Sequence, residues 1–335
     1  MPRAIDIHNH IYPPEYLKYL ERRTQHPKIV LPGPNGGKAT LWDEGILMGI
    51  VDADAHLDPQ GRAKFFRECG IDLQVATLSA PGVYRLGRNE SGKWARIVND
   101  YYAKLNEKQG GSYCCFMALP LDDVGESVDE IERGVNDLGL CGIGLFTNVN
   151  ARYIDEPEFH PIFEKAEKYD LPIFVHPAAS PATAELMDKQ KIPISLWGFP
   201  SETTICFTRL VWNGILEKFP KLKLIATHLG GFIPFQFERI DYSFKGFSEK
   251  YGYKLPRAPT HYFRKLYYDA VNFHKPAVFG AYLTFGAANL LLGTDYPFPV
   301  GDPARAVPNI NELPIPAQDK ESILRGNALN LLGRK

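Results

Sequence analysis

The chain of 335 residues is 44% hydrophobic and 23% charged, long enough for one large α/β barrel or two ordinary domains. A formal net charge of −1 and a pI near 6.8 give no electrostatic footprint for nucleic acid or an anionic membrane. No uninterrupted apolar stretch reaches membrane-spanning length, and residues 1–10 lack the basic-then-apolar order of a signal peptide. The five cysteines, Cys69, Cys114, Cys115, Cys141 and Cys206, show no CxxC spacing. Those in apolar strand-like runs (Cys114, Cys115 and Cys141) read as buried thiols, so the expectation is a cytoplasmic protein.

In chain order, Ala4-Ile5-Asp6-Ile7 alternates as a buried strand does and ends in His8-Asn9-His10. Side chains two apart on a strand share a side, so His8 and His10 project together. They either grip one metal ion or form a polar cap on the strand. Residues 11–57 are rich in Pro and Gly and carry no barrel unit, which marks a long insertion or lid after strand one. Seven more strand-like runs follow, at 74–79, 113–119, 142–146, 173–176, 222–228, 266–271 and 290–295. Helical periodicity lies between most of them, as in Val128–Leu138 with Val128, Ile131, Val135 and Leu138 on one face. Near-continuously apolar strands alternating with amphipathic helices predict a parallel sheet covered on its outside. Eight such units fit a (β/α)8 barrel forming one domain over 1–335. An open doubly wound sheet is the alternative, but no GxGxxG follows a strand.

The strand ends carry the chemistry. Strand one ends in His8 and His10, strand five in His176, strand six in His228 and strand eight in Asp295, each followed by a turn signal. In a barrel these ends converge on one pocket, where imidazoles and a carboxylate suit a Zn²⁺-type ion with one open position. Singly, a residue such as His176 or His228 is more often a hydrogen-bonded core histidine than a ligand; together they point to a metal site. Tyr12, Trp197, Phe199 and Phe298 lie near strand ends, either as core or as walls of a flat pocket for a ring. Glu202 opens a helix, and it either orients a ligand histidine from behind or simply favours the helix dipole. His26, His56, His160 and His261 lack supporting spacing and read as solvated, while His274 follows strand seven closely.

His8-Asn9-His10, "FVHP", "ATHLGG" and "LLGTDYPFP" resemble the strand-end signatures of the amidohydrolase superfamily. "GFPSETT" followed by "NGILEKFPKLKLIATHLGG" resembles the branch of aminocarboxymuconate-semialdehyde decarboxylase and related decarboxylases, and the likeness runs from residue 4 to Asn327. The resemblance implies one divalent metal, Zn²⁺ first and Mn²⁺ second, on His8, His10, His176 and Asp295. Many binuclear members of that superfamily carry a bridging lysine on strand four; here "CGIGLFTNV" holds no Lys, Glu or Asp. His228 is then free to act on substrate, with either His228 or Asp295 delivering a proton. The implied activity is nonoxidative decarboxylation of a ring or unsaturated acid. The alternative is a hydrolase opening a lactone or amide with metal-bound hydroxide, using the same ligands.

The resemblance also implies a homodimer in which Arg239 enters the partner's pocket, since helical spacing places Phe232, Phe235, Gln236 and Arg239 on one face. Two arginines of the resembled decarboxylase are missing. "GIVDADAHLDP" contains none, and only Lys245 stands near the place of the second. The expected substrate is therefore a small hydroxybenzoate-like acid with a single carboxylate.

Overall fold

The computed structural model describes residues 3–33, 38–109 and 111–334. Eight parallel strands form its centre: β1 (Ile5–His10), β2 (Leu73–Thr77), β3 (Tyr113–Cys115 continuing into Met117–Ala118), β4 (Ile143–Phe146), β5 (Pro172–His176), β6 (Lys223–Ala226), β7 (Tyr267–Asp269) and β8 (Leu290–Leu291). Each pairs with the next in sequence. At Phe116 the chain passes its pairing from β2 to β4, the Phe116 N–H donating to Ala76 and the Met117 N–H to Gly142. The ring returns to its start where the Ile7 N–H donates to the Leu292 carbonyl (2.9 Å) and the His10 N–H to that of Tyr296 (2.8 Å). The barrel expected from eight strand–helix units is the fold observed.

Ile5, Ile7, Val75, Phe116, Phe174, Ile225 and Leu291 pack as one small cluster of buried side chains at the strands. A larger cluster joins the outer faces of the strands to the helices. The register of β1 against β2 slips between Asp6 and Asn9. Such an irregularity re-aims side chains, and it lets His8 follow Ile7 toward the same interior, its ring 4.8 Å from that of Phe174.

The helix expected at Val128–Leu138 spans Val124–Asn136, because the Asp123 carboxylate accepts from the Glu126 N–H and caps the helix four residues earlier. The 11–57 stretch is more regular than its composition suggests. It holds a helix, Pro14–Arg22, a three-stranded antiparallel sheet of Lys28–Val30, Ala39–Asp43 and Ile46–Val51, and a short helix Ala53–Leu57. No described helix is long and apolar enough to cross a membrane.

Two expectations are corrected here. Cys114 and Cys141 are joined as a disulfide rather than standing as free thiols. They are 27 residues apart, and β3 and the approach to β4 bring them side by side, a proximity no local spacing announces. Cys115 is a buried free thiol, as read, and Cys206 is buried and free as well. His56 is fully buried rather than solvated, its Nδ1 accepting from the Tyr12 N–H (3.1 Å).

Candidate metal centre

The strand-end residues meet at the C-terminal mouth of the barrel. Ligand atoms of His8, His176, His228 and Asp295 all lie within 4.8 Å of one another. His10 Nε2 stands 3.2 Å from both His8 Nε2 and Asp295 Oδ1, and His228 Nε2 lies 3.4 Å from Asp295 Oδ2. His8, His10, His176 and Asp295 are all buried, whereas the His228 side chain keeps 17% of its surface open.

What the other ring nitrogens do decides whether this is a ligand set. The His8 Nδ1–H donates to Asp269 Oδ2 (2.8 Å), and the His176 Nδ1–H to the Pro177 carbonyl (3.0 Å). His10 Nδ1 lies 3.1 Å from Thr77 Oγ1. Anchoring Nδ1 in this way fixes each ring and points Nε2 into the cluster, the arrangement that metal-binding histidines require. The charge balance agrees. Burial alone would strip the proton from His8, but the charges of Asp269 and Asp295 outweigh it and hold His8 at about 10. The pocket thus calls for a positive charge, which a divalent cation would supply in place of that proton. Burial drives His10 down to about 4 and His176 well below its usual value, so both offer lone pairs. Asp295 remains a carboxylate: burial would raise its pKa, but the charge of His8 and hydrogen bonds from His10, His228 and His8 lower it further. Three buried imidazoles and one anion at a mouth open to a pocket fit a mononuclear divalent site.

Backbone geometry is specialised at the same place. His228 (φ 54°) and Asp295 (φ 56°) are both left-handed without being glycine, a conformation that costs about 1–3 kcal/mol and persists only where neighbours enforce it. The His228 N–H is held by Asp269 Oδ1 (2.9 Å) and the Asp295 N–H by the His8 carbonyl (2.8 Å). Gly293 makes a close approach possible: a Cβ there would meet Val271 Cγ2 at 2.7 Å and His8 Cβ at 3.0 Å.

A cavity of about 1150 Å³ opens from the cluster, with His176, His228 and Asp295 on its wall. Trp197 and Phe298 are among the residues that line it, the Phe298 ring 5.2 Å from that of His10. Tyr12 does not. It is 1% exposed, and its hydroxyl donates to the Ala80 carbonyl (3.0 Å), because the chain turns inward before the helix Pro14–Arg22. Glu202 is buried but touches no histidine. Its carboxylate accepts from Asn148 Nδ2 (3.3 Å), the Tyr153 hydroxyl (3.0 Å), the Ser180 N–H (3.1 Å) and the Thr183 hydroxyl. Glu202 sits in the middle of the helix Ile194–Trp212 and not at its opening, because the helix starts eight residues earlier, and it bolts that helix to the loops beyond β4 and β5 instead of orienting a ligand ring. Arg239 is exposed on the helix Ile233–Tyr251 and does not line its own chain's cavity. Exposed Phe235 and Gln236 lie beside it in sequence, and Asp241 is engaged by Thr260 instead. His274 is exposed and also lies off the cavity.

Three supporting residues escaped the sequence reading. Asp269 joins His8 to the backbone of His228, and it was visible as the last residue of strand seven. Asp6 accepts from the His8 N–H (3.0 Å) and the Thr294 hydroxyl (2.7 Å), tying strand one to the segment before Asp295; burial raises its carboxyl to about 7 against those bonds. Arg62, 3% exposed, donates to the His10 carbonyl and to Asn9 Oδ1, both at 2.6 Å.

The comparisons with known proteins agree with this geometry. The family described as Amidohydrolase matches residues 5–334. The chain is 28% identical over 337 residues to a 2-amino-3-carboxymuconate-6-semialdehyde decarboxylase of Dictyostelium discoideum, covering 98% of this chain and 91% of that one. It is 30% identical over 281 residues to a gamma-resorcylate decarboxylase of Polaromonas sp., covering 81% and 86%. Its fold superimposes, at a TM-score of 0.80 and 25% identity over 99% and 97% of the two chains, on a dihydroxybenzoic acid decarboxylase of Polaromonas sp. JS666 with bound manganese and the inhibitor 2-nitroresorcinol. With its strand-end cluster and a match from the first strand to the last helix, the chain belongs to the amidohydrolase family.

Proposed function

We propose that the protein is a metal-dependent nonoxidative decarboxylase of an aromatic hydroxy acid, with His8, His10, His176 and Asp295 holding one divalent ion and His228 facing the substrate. The observation that carries this reading is the convergence of Nδ1-anchored histidines and Asp295 at the floor of a cavity that His228 lines. The similarity to decarboxylases of aromatic and unsaturated acids supports the reaction class. His10 and His228 compete for the fourth ligand place. His10 is fully buried with its Nδ1 engaged, whereas His228 Nδ1 is buried without a partner, which favours His10 as ligand and His228 as the group that works on substrate. We favour Zn²⁺ because three of the four donors are imidazole nitrogens; the manganese in a related structure makes Mn²⁺ the competing ion.

When bound, such an ion supplies a Lewis acid for the carboxylate and an adjacent oxygen of the substrate. The protein's part is positioning and proton transfer. Phe298 and Trp197 flank the ring, and the His228–Asp295 pair, 3.4 Å apart, delivers a proton to the carbon bearing the carboxylate. The C–C bond then breaks, CO₂ leaves, and its bonding pair restores the aromatic ring. The missing arginines support a monocarboxylate: among the described residues none of the cavity's lining is arginine.

We also place the chain in a homodimer, with Arg239 serving the partner's cavity. The supporting observations are its exposure, its absence from the lining of its own cavity, and the exposed Phe235 (74%) one helical turn before it. Charge and composition favour a cytoplasmic location; the Cys114–Cys141 pair is the one feature against it. Incubation with a panel of hydroxybenzoates, measuring CO₂ release, with lactones in parallel, tests the reaction. Lactone opening without CO₂ would assign the hydrolase chemistry instead.

A further inference from the structure

The cavity is larger and more apolar than a single hydroxylated ring requires. Its volume of about 1150 Å³ exceeds the usual range of pockets for drug-sized ligands. Beside the reactive groups the wall is made by Trp42, Ile46 and Met48 of the insertion sheet and by Met187, Ile194 and Phe199 of the helices after β5, with the Phe199 ring 6.2 Å from that of His176. Met187, Ile194 and Phe199 form a buried cluster of their own, against which Ile46 and Met48 pack, so this wall is preformed. Gly49 lets the sheet lie against the floor: a Cβ there would come within 2.8 Å of Phe298 Cε1. Among the described residues the only lysine or arginine in the lining is the exposed Lys191. A second carboxylate or a string of hydroxyls set against Ile46, Met48, Met187, Ile194 and Phe199 would be desolvated by side chains that offer no hydrogen bond, at a cost that an apolar group avoids.

Resting on the decarboxylase reading, we infer that the substrate is a hydroxybenzoate-type acid carrying a bulky apolar substituent, an alkyl chain of several carbons or a second ring, seated against the wall that the insertion sheet and the Met187–Ile194–Phe199 cluster build together. The carboxylate end stays at the His and Asp cluster, and the substituent points away from it.

The test uses the full-length, zinc-loaded enzyme and 2-hydroxybenzoates that are unsubstituted or bear methyl, propyl, pentyl or phenyl groups at each open ring position. CO₂ release should give a kcat/KM that rises roughly fourfold for each added methylene at the favoured position, mainly through KM. Ile194→Trp and Met48→Trp each add bulk to that wall, one from the helices after β5 and one from the insertion sheet. Either should shrink the pentyl-to-unsubstituted ratio by tenfold or more, and a thermal melt identifies a variant that does not fold. Decarboxylation that is flat or falling with chain length would overturn the inference and leave the decarboxylase reading intact. If no acid releases CO₂, that reading fails instead. Calorimetric binding of the corresponding alkylphenols then decides the apolar wall on its own: affinity rising with chain length supports it, and chain-independent affinity overturns it.

Discussion

Replacing Asp269 by Asn is the sharpest probe of how the centre is held. Asp269 Oδ1 accepts from the backbone N–H groups of His228 (2.9 Å) and Val271 (3.1 Å), while Oδ2 accepts from His8 Nδ1 (2.8 Å). An asparagine must keep its oxygen toward the two amides, so its NH₂ turns toward His8. The imidazole can meet it only by offering the Nδ1 lone pair, which moves the ring proton to Nε2, the atom aimed at the cluster. The lone pair needed for a metal is then lost. Removing such a supporting partner commonly lowers metal affinity 10–100-fold, and the wrong tautomer puts Asp269→Asn at the upper end, about 2.7 kcal/mol. Asp269→Ala loses the partner but leaves the tautomer free, so it should bind metal more tightly than Asp269→Asn. Titration of metal-free protein against a chromophoric chelator measures both, with urea unfolding as the check on the fold. Asp269→Asn binding metal as tightly as the unmodified protein, or more tightly than Asp269→Ala, would refute the tautomer reasoning.

Elemental analysis of purified variants should find little metal in His10→Ala and His176→Ala and normal metal in His228→Ala, with turnover in the last reduced at least a hundredfold; a metal-free His228→Ala would exchange the roles of His10 and His228. Well-washed, fully active protein should contain one metal per chain, because strand four offers no bridging side chain, and chelation should abolish CO₂ release until Zn²⁺ or Mn²⁺ is restored. Gly293→Ala should cost about 1–3 kcal/mol of stability by overpacking Val271 and His8, read as a lowered urea midpoint, and an unchanged midpoint would show that this contact relaxes freely. Arg239→Ala should keep its metal but raise KM, and mixing it with His176→Ala should recover activity as subunits exchange; no recovery in mixtures shown to exchange would exclude a shared site.

The parts of this centre that were legible in the sequence are those with local grammar. The i, i+2 histidines, the turns after His176 and His228, and the "TDYP" after an apolar run each combine a strand signal with a ligand type, and the barrel brings them together. Side chains whose role depends on distant partners were not legible. Glu202 meets Asn148, Tyr153, Ser180 and Thr183, residues 19 to 54 positions away, and no spacing distinguishes that carboxylate from an ordinary helix-opening acid. Tyr12 shows that closeness to a strand end in sequence does not fix direction: two residues after His10 its ring is already in the core. The insertion sheet hid behind its own composition, since the apolar run of Ile46–Val51 lacks the alternation of a half-exposed strand where one edge of it faces a cavity.

That sheet contributes Trp42, Ile46 and Met48 to the cavity and no donor to the metal cluster. The hairpin's share of the cavity wall is thus written apart from the reaction centre, between β1 and β2 instead of at the strand tips, while the rest of the wall comes mainly from the helices after β5. Residues 39–51 can drift or be exchanged between relatives while the donors stay in register, so a new substituent preference is reachable by small changes in one hairpin. Such a division allows one chemistry to be redeployed across a series of acids, and makes this hairpin the natural graft for anyone wishing to redirect it.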